Sequence, residues 1–138
     1  MRFEELSVGQ SVTMDKVVTD GDVVAFAGIT GDDNPVHLDE AAAARSRFGG
    51  RIAHGMLGAG FISAAIGTRL PGPGSIYLSQ SLRFTRPVRI GDTVTTRVEI
   101  AELHAEKRRV KLLTRCANQH GETVIDGEAL VLLPDEQG

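Results

Sequence analysis

The sequence predicts an α+β fold in which a curved antiparallel sheet wraps a central apolar helix, and three observations carry that prediction. After a short strand at 10–18, apolar residues take helical spacing and then change to a period of two after the PGPG turn at 71–74. The segment 55–68, GMLGAGFISAAIGT, carries only Ser63 and Thr68 as polar side chains, so it has no solvent face and is expected to be buried all round. The breaks between the later strands, at Gly91-Asp92, 104–107 and His120-Gly121, suit antiparallel neighbours and are too short for crossover helices.

The elements follow in order. Residues 10–18 read as a short strand with Val12, Met14 and Val18 on one face. Thr19 followed by Asp22 forms a capping pattern, and Val23, Phe26 and Ala27 give the i, i+3, i+4 spacing of a helix that Gly28 and Gly31 weaken. A loop is expected from Thr30 to Leu38. Asp39 can cap a short helix through the alanines at 41–44, ending near Gly49 and Gly50. The four glycines of 55–68 lower helix propensity by roughly 1 kcal/mol each relative to alanine, so close approach of a sheet or a ligand must compensate. Four strands then emerge, each with an inward parity: Ile76, Leu78, Leu82 and Phe84; Val94, Val98 and Ile100; Val110, Leu112 and Cys116; Val124, Leu130 and Leu132. The polar end, Asp135 to Gly138, reads as a tail.

Composition narrows the function. At 138 residues the chain is the size of one domain, 1–138. Fifteen basic against eighteen acidic residues give a net charge of −3, which argues against nucleic acid as a partner. The N-terminus lacks a basic start followed by an apolar run, and no uncharged segment reaches the roughly 20 residues that span a bilayer, so neither secretion nor membrane insertion is expected. One cysteine, Cys116, excludes an internal disulfide framework and makes a reducing compartment, the cytoplasm, the default address.

The loop TGDDNPVHLD at 30–39 gathers three carboxylates, an amide and an imidazole in ten residues. Pro35 fixes its own φ and biases Asn34 away from the helical region, so a turn can bring Asp32 toward His37. An Asp and His pair suits water activation, one group taking a proton while the other orients the molecule. The same residue types also make ordinary turns, and Asp39 reads as a helix cap rather than a catalyst. A second half of a site lies at Ala53-His54-Gly55-Met56, where the apolar helix starts. Its first amides lack helical partners, the dipole adds about half a positive charge, and Gly55 has no side chain to obstruct a carbonyl. His54 itself reads as a helix-start or core histidine ahead of a direct catalytic role. His104 and His120 fall at turns, as solvated surface residues.

Other chemistries fit less well. Asp32, Asp33, Asn34, His37 and Asp39 could ligate a metal, but they lack the EF-hand pattern, and His37 and His54 lack the HExxH spacing, so no metal is expected. The GxSxG elbow of a serine hydrolase is absent, and Ser63 sits inside an apolar helix. Cys116 has no neighbouring base in sequence and reads as a small buried hydrophobe.

Three segments together resemble one family. GDDNPVHLD at 31–39, HGM at 54–56 and GSIYLSQSLRFTRPVRIGD at 74–92 match, in order and nearly end to end, the MaoC-like (R)-specific enoyl-CoA hydratases, which have the hot-dog fold. The resemblance implies reversible syn addition of water to a trans-2-enoyl-CoA, giving an (R)-3-hydroxyacyl-CoA without metal or redox cofactor. It implies that Asp32 and His37 hold the catalytic water, that Asn34 positions them, and that the Gly55 amide is the oxyanion donor. Asp32 is favoured as the base with His37 orienting the water, although the pair can titrate as a unit and exchange roles. It further implies an acyl pocket lined by Ser63 and Ile66, and a homodimer formed through the sheets with Tyr77 and Gln80 on the central strand. Low aromatic content, 4%, favours a short to medium linear acyl chain. Arg83, Arg86, Arg89 and Lys107 to Arg109 are available for the coenzyme's phosphates, none singled out. An acyl-carrier-protein dehydratase would use the same dyad; a hot-dog thioesterase or a non-catalytic acyl-CoA binding module would not need it.

Overall fold

A computed structural model describes residues 1–134; the polar end from Asp135 to Gly138 lies outside the described residues. After a single 3-10 turn at Phe3–Glu5 come β1 (Ser11–Val17), α1 (Asp20–Thr30), α2 (Pro35–Leu38), α3 (Glu40–Ala44) and α4 (Gly55–Thr68). Five strands complete the order: β2 (Ile76–Gln80), β3 (Arg83–Phe84), β4 (Thr93–His104), β5 (Arg109–Ala117) and β6 (Thr123–Leu132). All pairings are antiparallel, in the order β1-β4-β5-β6-β2, with β3 also on β6.

Local signals set the first half. Thr19 Oγ1 accepts from Asp22 N at 3.1 Å while Asp22 Oδ2 accepts from Thr19 N at 3.0 Å, a reciprocal cap that satisfies two donors at the start of α1. Gly31 ends α1 at φ +82°, a conformation that favours glycine. The expected loop through Leu38 instead contains a helical turn, α2. Asn34 Oδ1 accepts from Val36 N at 3.2 Å and Pro35 occupies the first position, where its missing N–H costs nothing. Asp39 Oδ1 then caps α3, accepting from Ala41 N and Ala42 N.

The sheet encloses one side of α4, which packs on β4 and β5. Val94, Val98 and Ile100 on β4 and Val110, Leu112 and Cys116 on β5 are fully or almost fully buried against Ile62, Ala65 and Ile66 of α4. Three expectations require correction. First, α4 is not buried all round within the chain: Gly60, Ser63, Ala64 and Gly67 lie on an open face of small residues. Second, β6 buries Val124 as expected but turns Ala129 and Val131 inward, followed by Leu133 just beyond it, not Leu130 and Leu132. Both parities are apolar there, and pairing decides: Val131 stands opposite buried Val110, whereas Leu130 stands opposite Lys111 and Leu132 opposite Arg109. Third, 76–84 is two strands. The register shifts on β6 between Tyr77 and Ser79, and the chain then turns at Ser81, whose carbonyl presses on Gly127 and leaves no room there for a Cβ. Ile76, Leu78 and Phe84 consequently stay exposed.

Candidate active site

The segment 30–39 is tied by its own side chains. Asp32 N donates to Thr30 Oγ1 at 3.1 Å, Asn34 N donates to Asp32 Oδ1 at 3.3 Å, and Asn34 in turn caps α2. That turn carries His37 inward to 8% exposure, where its Nδ1 lies 2.7 Å from the carbonyl oxygen of Ile52. A carbonyl only accepts, so Nδ1 bears the proton and Nε2 is left as an acceptor. Arg51 steadies the same turn, its Nε donating to the His37 carbonyl and its Nη2 meeting Asp20 at 2.6 Å.

Asp32 is exposed at the rim of a cavity of about 570 Å³ that His37, His54 and Gly55 also line. Side-chain ligand atoms of Asp32, His37 and His54 all lie within 4.8 Å of one another. These three are the residues that could hold a metal, but the His37 and His54 rings stack at 3.9 Å between centroids and 30° between planes. Each ring already spends one nitrogen on a backbone carbonyl, His37 Nδ1 on Ile52 and His54 Nε2 on Asp32, and the remaining nitrogen of His54 is sealed from solvent.

Gly55 begins α4, and among the described residues neither its N–H nor that of Met56 has an acceptor. Free amides at a helix N-terminus face the cavity with the positive end of the dipole behind them. A side chain at 55 is excluded by close approach, because a Cβ there would stand 2.9 Å from the Phe84 ring.

The remaining walls come from distant parts of the chain: Phe61 on α4, Phe84 on β3, Val88, and Val124 and Ile125 on β6. Gly58 lets α4 approach β6, since a Cβ there would collide with Ile125. Exposed Arg47, its guanidinium 5.6 Å from the Phe48 ring centroid, and Arg86, paired with Glu122 at 3.1 Å, line the solvent side. The sequence carries no local signal for Phe48, Phe61 or Phe84, whose roles depend on tertiary contact. Ser63 and Ile66 are not among the lining residues: Ser63 lies on the open face of α4, and Ile66, 1% exposed, belongs to the core. Burial pushes the Cys116 thiol up, and its sulfur rests against Thr96 and the carbonyl of Gly58.

Fold and site together define a cavity lined by Asp32 and His37 at a helix N-terminus inside an antiparallel wrap. Residues 4–121 match the model of the MaoC like domain family. The chain is 55% identical to a 3-hydroxybutyryl-CoA dehydratase of Methylorubrum extorquens, over 98% of this chain and 85% of that one. It is 52% identical to an (R)-specific enoyl-CoA hydratase of Rhodospirillum rubrum, over 96% and 91%. An unliganded R-hydratase of Pseudomonas aeruginosa superposes with a TM-score of 0.93 at 50% identity, covering 98% of this chain and 86% of that one. The chain belongs to the MaoC-like family, among its (R)-specific enoyl-CoA hydratases, and has their hot-dog fold.

Proposed function

We infer that the protein is an (R)-specific enoyl-CoA hydratase, a hydro-lyase that adds water reversibly to short- or medium-chain trans-2-enoyl-CoA. The observation that carries this reading is the meeting of Asp32, His37 and the free Gly55 amide around one cavity. The Asp32 carboxylate and His37 Nε2 both accept, so together they can take both hydrogens of one water and leave its lone pair directed at the substrate. As the water oxygen bonds to Cβ, one of the pair takes its proton. The electrons of the double bond move to the thioester oxygen, where the Gly55 N–H and the dipole of α4 stabilise the charge. Delivery of the proton to Cα on the same face closes the cycle, with no electron left over and so no need for a redox cofactor.

The apolar wall of Phe61, Val124 and Ile125 suits the acyl chain, and a relative named for a four-carbon substrate supports the short end of the range. Two exposed apolar surfaces support a homodimer: the small-residue face of α4 and the edge strand β2, on which Ile76, Tyr77 and Leu78 are 49%, 39% and 43% exposed. An apolar edge strand is an aggregation hazard unless it is covered, and a second copy covers it. Tyr77 and Gln80, bonded to each other through Tyr77 Oη at 2.5 Å, then lie centrally in the paired sheets. The single cysteine fits a cytoplasmic address, and among the described residues no helix is long and apolar enough to cross a membrane.

The test is loss of enoyl-thioester absorbance from crotonyl-CoA, with product stereochemistry and free thiol recorded together. An (R)-3-hydroxy product without thiol is expected. Thiol release would make it a thioesterase, and silence on CoA with activity on carrier-protein thioesters would make it a dehydratase of that class.

A further inference from the structure

His54 is a polar residue with 3% exposure, and its hydrogen bonding is lopsided. Its Nε2 lies 2.9 Å from the backbone carbonyl oxygen of Asp32, twenty-two residues away, so Nε2 carries the proton. Its Nδ1 is sealed from solvent without a partner among the described residues. A second N–H at that atom would find no acceptor, so His54 is ill placed to pass protons or hold substrate. One face of the ring environment is the His37 imidazole at 3.9 Å, another is Phe26 at 4.6 Å, and the next residue in the chain is Gly55.

We propose that His54 is a positioning residue that fixes the separation between the carboxylate of Asp32, the imidazole of His37 and the amide of Gly55. The proposal rests on the hydratase reading. Among the described residues, the His54 bond is the one hydrogen bond that reaches Asp32 from outside its own turn, since its other partners are Thr30 and Asn34. Without it, an exposed aspartate is tied only to a local turn, while His37 is tied to Ile52 in the segment that leads into α4. An aliphatic side chain would fill the same volume and avoid an orphaned nitrogen. The residue that stands there instead gives up one nitrogen to gain a donor aimed at Asp32.

Two substitutions separate this role from packing. His54→Gln keeps an amide donor close to the place of Nε2 and loses the ring; His54→Phe keeps a ring against His37 and Phe26 and loses the donor. With crotonyl-CoA, after the wild type has been shown to be a hydratase, His54→Phe is expected to lose about 100-fold in kcat with KM within about threefold, and His54→Gln no more than about tenfold. The reverse order, or equal loss in both, would mean that packing is the whole role and overturns the proposal. Imidazole nitrogen NMR of the wild type gives a second check that needs no variant to fold. It should report His54 protonated at Nε2 and bare at Nδ1, and the opposite tautomer would refute the bond to Asp32. A wild type with no hydratase activity would instead count against the functional reading.

Discussion

His37 Nδ1 and the carbonyl oxygen of Ile52 lie 2.7 Å apart, a bond that joins the turn of α2 to the strand-like segment leading into α4. It fixes both the ring's orientation and its tautomer, so the nitrogen left for chemistry is Nε2. Replacing His37 with Ala, or Asp32 with Asn, is therefore expected to lower kcat on crotonyl-CoA by about 100-fold or more, with a far-UV spectrum like that of the wild type. Near-normal turnover in both variants would remove the pair from the mechanism.

Gly55 offers a more local test of the oxyanion assignment. Adding one methyl places it 2.9 Å from the Phe84 ring, so either the ring or the start of α4 must shift. Gly55→Ala should cost about 100-fold in kcat by moving the amide from the developing charge. Phe84→Leu in the same chain opens space and should recover part of that loss. A double variant no better than the single would show that the contact with Phe84 is not the cause.

Acid should weaken the start of the first helix. The ion pair with Lys16, 2.9 Å from Asp22 Oδ2, and the bond from Thr19 N hold the Asp22 carboxyl below its ordinary value of 3.8. A folded-state value below the unfolded one stabilises the protein at higher pH, and this contribution disappears as pH falls from that ordinary value through the folded one. Thr19→Ala should lower stability by about 1 kcal/mol in denaturant melts. Asp22→Asn should flatten the fall in Tm over that acidic interval, and an unchanged acid slope would show that Asp22 is not its source.

The open face of α4 tests the assembly. A Cβ at Gly67 meets nothing within 4 Å in the protomer, and glycine is a poor helix former, so Gly67→Lys should leave the protomer folded. Sedimentation should report a dimer for the wild type and a shift toward monomer for the variant. A dimer of unchanged strength would place the interface elsewhere.

The sequence exposes the parts of this fold that rest on short-range chemistry. The cap of α1, the Asp39 cap, the limits of α4 and the inward parity of β4 and β5 are all present in side-chain type and spacing. It hides what neighbours decide. Leu130 and Val131 are equally apolar, and only the strand opposite tells them apart. The open face of α4 consists of small residues that read as buried because almost nothing in them is polar. Within the site, Asp32, His37 and Gly55 stand out by motif, whereas Phe61, Phe84 and Ile125 join the cavity through folding across long stretches of chain. His54 reads as structural because it is a cap position in an apolar setting; its bond to the Asp32 carbonyl has no trace in local spacing.

Asp39 ends α2 and begins α3, so two helices share one residue with no slack between them. Each residue of a helix advances its side chain by about 100° around the axis. An insertion of a single amino acid between Asn34 and Asp39 would rotate His37 away from Ile52 or break both caps at once. Natural variation among descendants of this chain should accordingly accept changes of residue within that stretch far more readily than changes of its length.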